Sequence, residues 1–337
     1  MRVSDFDYDL PDEAIAQEAV EPRHSSRLLD TRDMTDHRFL DLPGLLEPGD
    51  LIVVNETRVR AARLVGRRAE TGGKVELLLL DRSADGRWRA LAKPARRLRP
   101  GVIVEFEGMS ATVVEPPDEG VVRVTLNATD EEAAIRAAGS VPLPPYFKGE
   151  LEDTSRYQTI YAEAAGSAAA PTAGLHFTEE VLAALEVRGV RIASVDLHVS
   201  LDTFRPMDVD NVQDHKMHSE WCSVPDETKN AIDETREMRG KVVAIGTTVV
   251  RTLESFADGK GGVTAGSKET TLFLQPGYTL RVVDGLVTNF HLPRSTLLVL
   301  LAALMGPGWR DVYETALARG YRFLSFGDAM YAERTRD

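Results

Sequence analysis

The chain has 337 residues, with 40 Lys/Arg against 53 Asp/Glu and a formal net charge of −13. An apolar fraction of 43% supports a real core, so one large or two ordinary domains are expected. A single cysteine, Cys222, excludes a disulfide framework and a multi-cysteine metal centre and fits a reducing, cytoplasmic setting.

The acidic, mixed N-terminal stretch does not read as a signal peptide, and 12–19 reads as a short helix. Residues 50–55 form an apolar strand with a polar end. Between 62 and 127 the character changes. The runs 74–80, 87–91, 102–106, 111–114 and 121–126 are short and β-rich, and Gly72-Gly73, Pro100-Gly101 and Pro116-Pro117 punctuate them. Regularly spaced short strands of this kind predict a small antiparallel barrel. A helix over 130–138 and a stiff return linker over 142–145 follow. From about 156 onward strands alternate with helices. Thr178 caps a helix with Glu179 and Glu180 in its first turn, and Gly189 ends it. A strand over 190–199, a helix over 226–238, a strand over 241–245 and a helix over 248–257 come next. A Gly-rich surface loop spans 258–267, and 297–305 and 309–319 are further helices. The run 297–305 is the longest apolar one and falls far short of the roughly 20 residues a membrane span needs, so no membrane partner is expected. The alternation argues α/β. The simplest architecture has two domains: an α/β main domain built from both chain ends (1–60 and 141–337) with a small antiparallel β-barrel inserted at 61–140.

Net negative charge argues against a nucleic-acid partner, but its distribution argues back. From Arg58 to Arg99 there are 13 Lys/Arg and 4 Asp/Glu, and Arg60, Arg63, Arg67, Arg68, Arg96, Arg97 and Arg99 carry most of that surplus. A basic segment on an acidic body is an electrostatic footprint for RNA; the alternative is a solvated barrel surface.

Three stretches are dense in candidate chemistry. In Ala170-Pro171-Thr172-Ala173-Gly174-Leu175-His176-Phe177-Thr178, a loop lets backbone approach a ligand and places His176 as a general base or donor, or else as a structural imidazole. In Ile245-Gly246-Thr247-Thr248, a strand-to-helix turn presents N–H groups to a carboxylate or phosphate, or serves only as an ordinary capped turn. On the helix that follows, Arg251 and Glu254 share a face, either as an ion pair or with Glu254 turned into a cleft. The third stretch, Thr288-Asn289-Phe290-His291-Leu292-Pro293-Arg294-Ser295-Thr296, offers Asn289 and His291. His198 ends a strand, where α/β sheets place their ligand sites. His215 and His218 could ligate a metal, yet the pattern lacks a helical His-Glu-x-x-His, and no metal is expected. His218 and Glu220 would share a strand face and bind substrate. Asn55 could read a base edge and Arg58 pair with phosphate, or both could cap a strand end. Tyr146 and Tyr157 could stack on a base or belong to the core. No Walker loop, Gly-x-Ser-x-Gly or Gly-x-Gly-x-x-Gly is present, which removes support for nucleotide triphosphatase, serine hydrolase and Rossmann dehydrogenase readings.

Taken in order, these stretches resemble the S-adenosylmethionine:tRNA ribosyltransferase-isomerases of queuosine biosynthesis. The likeness extends from Met1-Arg2-Val3-Ser4-Asp5-Phe6 through 49–58, Leu143-Pro144-Pro145-Tyr146, Arg156-Tyr157-Gln158-Thr159 and Met217-His218-Ser219-Glu220 to 321–330. It implies transfer and isomerisation of the ribosyl moiety of S-adenosylmethionine onto 7-aminomethyl-7-deazaguanine at the wobble position of tRNAs of the GUN anticodon type, with release of adenine and methionine. S-adenosylmethionine is then a co-substrate, with no resident cofactor, and a cytoplasmic monomer is expected. In that context His176, His198 and Glu254 are the catalytic candidates. Asn55, Arg58, Thr172, Gly174, His218, Glu220, Gly246, Thr247, Thr248, Arg251, Asn289 and His291 are the binding candidates. The chain departs from the family at Ser200 and Asp202, where Gly is usual, so Ser200 is expected to narrow the site. Three rivals remain at this point: a same-fold S-adenosylmethionine enzyme with another acceptor, a non-catalytic RNA-binding protein, and a metal hydrolase built on His215 and His218.

Overall fold

A computed structural model describes residues 1–83, 85–118, 120–149, 151, 153–163, 165–199 and 206–335. The chain divides into two compact units. One comprises Met1–Thr57, Pro145–Ala164 and Ala170–Asp337, the other Arg58–Pro144 and Ala165–Ala169. The boundaries therefore fall at 57/58 and 144/145 rather than at 60/61 and 140/141. Ala165–Ser167 pairs in parallel with Arg58–Val59, which draws that later segment into the inserted unit.

The first unit is built on a mixed nine-stranded sheet. At its centre Arg191–Leu197, Leu51–Asn55, Val242–Ile245 and Gly285–Asn289 lie side by side and parallel. Leu51–Asn55, Val242–Ile245 and Gly285–Asn289 are buried along their whole length, as continuous apolar strands covered on both faces must be. On one face Ile52, Val54, Val243, Ile245 and Val287 pack with Phe177, Val181 and Leu185 around the helix Glu179–Arg188. Thr247–Ser255 packs against its neighbouring strands through Val249, Val250 and Leu253. The register brings Asn55, His198, Gly246 and Asn289 to the carboxyl edge of the four parallel strands, the edge where such sheets place ligand sites.

The second unit is an antiparallel barrel. Arg63–Arg68, Lys74–Arg82, Trp88–Lys93, Val121–Asn127, Met109–Val113 and Ile103–Phe106 follow one another around it, and the last pairs back onto the first. Leu64, Val75, Leu77, Trp88, Ala90, Val104, Ala111, Val113, Val122 and Val124 are buried on alternate positions and fill it. Asp130 caps the helix Glu131–Ala138, its carboxylate accepting from Ala133 N at 3.0 Å.

Several local expectations are corrected. The helix expected over 12–19 is a single 3-10 turn, Asp12–Ala14. Its continuation is diverted because Ala16 N donates to Phe323 O and Phe323 N to Ala14 O, a pairing about 300 residues away in sequence that outweighs local propensity. Thr178 does stand at the start of Glu179–Arg188, but its hydroxyl bonds His24 Nδ1 at 2.7 Å and makes no cap bond. The tail of the expected 258–267 loop enters a strand, Gly266–Thr270, paired with Glu220–Val224.

Candidate active site

Gly246 leaves the strand Val242–Ile245 at φ +92°, a conformation that L side chains rarely adopt, and Thr247 and Thr248 open the nine-residue helix behind it. The first N–H groups of a helix have no intrahelical acceptors, so this turn presents donors and the positive end of the dipole. Beside it lies a cavity partly open to solvent, whose empty space, solvent side included, is about 600 Å³. Thr172, Thr247, Thr248, Asn289, His291 and Ser295 are among its polar lining residues, and Phe290, Leu292, Leu297 and Leu324 are among its apolar walls. Ser295 caps a second helix, Thr296–Met305, accepting from Leu298 N at 3.3 Å, so two helix starts border one space. Thr248 Oγ1 is buried and has no hydrogen-bond partner among the described residues.

A second, smaller cavity shares Thr247, Thr248 and Leu297 with the first, and Met217, Glu220, Arg251 and Phe273 also line it. Here Arg251 is paired with Glu220, both nearly fully buried, and its Nε donates to Leu272 O at 3.1 Å. His218 Nε2 stands 3.5 Å from the other Glu220 oxygen. His215 packs edge-on against Phe273, and among the described residues no group of three His, Cys, Asp or Glu is placed to hold a metal ion.

Of the binding candidates, Thr172, Gly246, Thr247, Thr248, Asn289 and His291 meet at the larger cavity, and Glu220 and Arg251 meet at the smaller, with His218 against Glu220. The others sit elsewhere. Asn55 is fully buried. Its Oδ1 accepts from Thr57 and from Leu197 N, and its Nδ2 donates to Leu197 O at 3.1 Å, so it ties two strand ends together and has no edge left to read a base. Arg58 is exposed and belongs to the barrel unit. Gly174 is required by packing, since a Cβ there would meet Tyr161 Oη at 2.1 Å.

The catalytic candidates are placed as follows. Glu254 is buried and accepts from Arg281 N, Val282 N, Val283 N and the Tyr278 hydroxyl at 2.9–3.2 Å, so its carboxylate is spent on holding a loop. Arg251 and Glu254 therefore form no pair. His176 lies away from the lining of the larger cavity. Its Nδ1 meets Ser26 Oγ at 2.8 Å, its Nε2 meets Asn289 Nδ2 at 3.1 Å, and its ring stacks on Phe39. Burial, with the charges of Arg322 and Arg23 behind it, pushes this imidazole down to about 3, which removes it as a base near neutrality. Burial also takes His291 down to about 3. His198 follows Arg191–Leu197 with its ring against Trp221. Ser200 and Asp202 lie outside the described residues.

Sequence reasoning did not single out Ser26, Ser295 or Ser325, nor Asp196. Tyr146 was weighed only as a base-stacking or core residue, whereas its hydroxyl bonds Ser325 Oγ at 2.6 Å on the cavity wall. Asp196 Oδ1 is buried without a hydrogen-bond partner among the described residues, and burial, then the Glu56 charge, raises its pKa. Only three-dimensional neighbours distinguish these from ordinary polar residues. In the barrel unit Arg60 and Arg63 pair with Glu132 and Glu76, whereas Arg96, Arg97 and Arg99 are exposed and have no ion pair among the described residues.

A family model described as "Queuosine biosynthesis protein" matches residues 3–332. An S-adenosylmethionine:tRNA ribosyltransferase-isomerase from Symbiobacterium thermophilum is 51% identical over 338 residues, 98% of this chain and 99% of the relative. Its counterpart from an Anaeromyxobacter species is 52% identical over 345 residues, 99% of each. Among solved structures, an S-adenosylmethionine tRNA ribosyltransferase from Thermotoga maritima is 36% identical, with a TM-score of 0.56 over 97% of this chain and 99% of that one.

Proposed function

Because the chain belongs to the family of S-adenosylmethionine:tRNA ribosyltransferase-isomerases, we propose that the cavity at the strand edge is where S-adenosylmethionine is held for that reaction. The chain acts in queuosine biosynthesis. It transfers and isomerises the ribosyl moiety of S-adenosylmethionine onto 7-aminomethyl-7-deazaguanine at the wobble position of tRNA, giving epoxyqueuosine with release of adenine and methionine.

The observation that carries the placement is the convergence of Gly246–Thr248, Ser295 and Asn289 on one cleft. The sulfonium acidifies the adjacent C5′ protons, so a base forms an ylide there; adenine must leave with a proton or a strong hydrogen bond, and the acceptor amine must attack in its neutral form. A mostly apolar cavity excludes competing water and fixes the reacting groups relative to one another. The N–H groups opening Thr247–Ser255 suit the methionine carboxylate. Thr248 Oγ1, buried and unpartnered, offers a further polar contact there. The acceptor tRNAs are of the GUN anticodon type, the unpaired Arg96, Arg97 and Arg99 contribute to holding them, and the enzyme is a monomer of the cytoplasm. The exposure of those three arginines supports the second element, and a lone buried thiol is in keeping with the last.

The test is mass spectrometry of nucleosides from acceptor tRNA incubated with the purified chain and S-adenosylmethionine. Epoxyqueuosine and an equimolar amount of free adenine are expected only when all three components are present. A methylated nucleoside, or tRNA binding with no product, would overturn the reading.

A further inference from the structure

Asn289 is the polar residue at which strand edge, cavity and interior meet. Its Nδ2 lies 3.3 Å from the Asp328 carbonyl oxygen, which can only accept, so that atom is the NH2 of the amide. Its second proton then goes to His176 Nε2 at 3.1 Å, which must be unprotonated. The imidazole is therefore the Nδ1–H tautomer, donating to Ser26 Oγ at 2.8 Å. On the other side of the amide, Asn289 Oδ1 accepts the only proton of the Thr172 hydroxyl at 3.0 Å. Both amide protons of Asn289, the Nδ1–H of His176 and the Thr172 hydroxyl proton thus have acceptors within the protein. What remains towards the cavity, which both Asn289 and Thr172 line, is lone pairs.

We propose that His176 is a positioning residue, holding the Asn289 amide so that Asn289 Oδ1 and Thr172 Oγ1 form an acceptor pair that recognises a neutral N–H donor, the exocyclic amine of the adenine of S-adenosylmethionine. This rests on the reading that the cavity holds that co-substrate. Among the described residues no charged side chain lines the cavity, and Asn289 and Thr172 offer neutral acceptors, which suit an uncharged aryl amine, whereas the methionine ammonium stays beside the carboxylate held at the helix start. Phe290, Leu292 and Leu324 supply apolar walls for a flat ring. Because burial keeps His176 neutral, Nε2 stays an acceptor throughout the physiological range, and the amide is not free to turn over.

The experiment is calorimetric titration of the full chain with S-adenosylmethionine and with S-inosylmethionine, whose 6-oxo group presents an acceptor instead of the amine. Wild type is expected to favour the adenosyl ligand by at least about tenfold, the cost of facing an acceptor with buried acceptors. His176→Gln places an amide oxygen near the position of Nε2 and should retain that preference to within about threefold. His176→Asn reaches only the position of Nδ1, and the two ligands should come to within about twofold of one another. Simple loss of stability would not equalise them. If His176→Asn does not fold, Thr172→Val removes one acceptor of the pair and should shrink the preference in the same direction. Equal binding of both ligands by wild type, or full preference in His176→Asn and Thr172→Val, would overturn the assignment. Leu292→Trp, at a residue that lines the strand-edge cavity and not the Glu220–Arg251 one, separates the two readings. If it leaves S-adenosylmethionine affinity unchanged, the placement itself falls. If it abolishes binding while wild type fails to discriminate, the placement stands and the role of His176 falls.

Discussion

The polar residues of the α/β unit and those of the barrel unit do different physical work. Around the strand edge, Asn289, Thr172, His176 and Ser26 form a chain of hydrogen bonds in which nearly every donor has one partner and one direction. In the barrel, Arg96, Arg97 and Arg99 stand in solvent with no ion pair among the described residues. Oriented, desolvated groups discriminate one small molecule from another, whereas solvated cations supply charge and tolerate many geometries. The contrast teaches that a co-substrate of fixed shape and a large polyanion call for opposite treatments of polar side chains, and one chain carries both.

The largest expected effect strikes the buried side of this comparison through pH. His176 and His291 are both held to about 3, below the ordinary value of about 6.5. Their stabilising contribution is complete above pH 6.5 and is lost as pH falls towards 3, because the unfolded chain takes up protons that the folded chain refuses. At pH 5 the loss is about 2 kcal/mol for each, or about 4 kcal/mol together. Urea unfolding of wild type and His176→Gln at pH 7 and pH 5 checks this, and the variant should lose about 2 kcal/mol less between the two. Equal losses would mean that His176 titrates normally.

Gly246→Val comes next. It forces a β-branched residue to φ +92° and turns its side chain towards Ala173, whose Cβ lies 3.6 Å from the new Cβ position. Catalytic efficiency should fall about a hundredfold, or about 2.7 kcal/mol, measured as adenine release per folded enzyme. Retention of wild-type efficiency would take the helix start out of the site.

Glu254→Gln tests whether a buried acid beside this region is structural. Replacing one carboxylate oxygen that accepts backbone N–H groups should cost about 2 kcal/mol of stability while kcat stays within about twofold. A thousandfold fall in kcat with an unchanged melting curve would restore Glu254 as a catalytic group.

The smallest effect belongs to the solvated side. Replacing Arg96, Arg97 and Arg99 with Ala should weaken tRNA binding about tenfold and flatten the slope of log K against log salt by about one unit per lost phosphate contact. S-adenosylmethionine affinity should not change. An unchanged slope would make these arginines ordinary surface.

The architecture was legible because its signals are local. Apolar runs such as 51–55 and 242–245, the Gly246 turn and the Gly/Pro-punctuated strands of the barrel all declare themselves within a few residues. What escaped depends on distant partners. Arg27–Asp30 lies between Thr35–Arg38 and Ala329–Glu333, and nothing near it in sequence announces the second partner, about 300 residues away. The site shows the same division. Thr172, Gly246–Thr248, Asn289 and His291 sit in dense, punctuated motifs and converge on the cavity. Glu254 resembles a catalytic acid until the backbone of Arg281–Val283 is found on it, and His176 resembles a base until Ser26 and Asn289 occupy both its nitrogens. An ionisable residue in a motif announces importance; only its partners say whether it moves a proton or holds a neighbour.

The central claim is that S-adenosylmethionine occupies the cavity at the strand edge of the α/β unit. A crystal structure of the chain with S-adenosylmethionine tests it most directly. The account predicts ligand density bounded by Thr172, Thr247, Thr248 and Asn289, with the carboxylate at the start of Thr247–Ser255 and the purine amine at Asn289 Oδ1. Density confined to the Glu220–Arg251 cavity, or lying in the barrel unit, would contradict it.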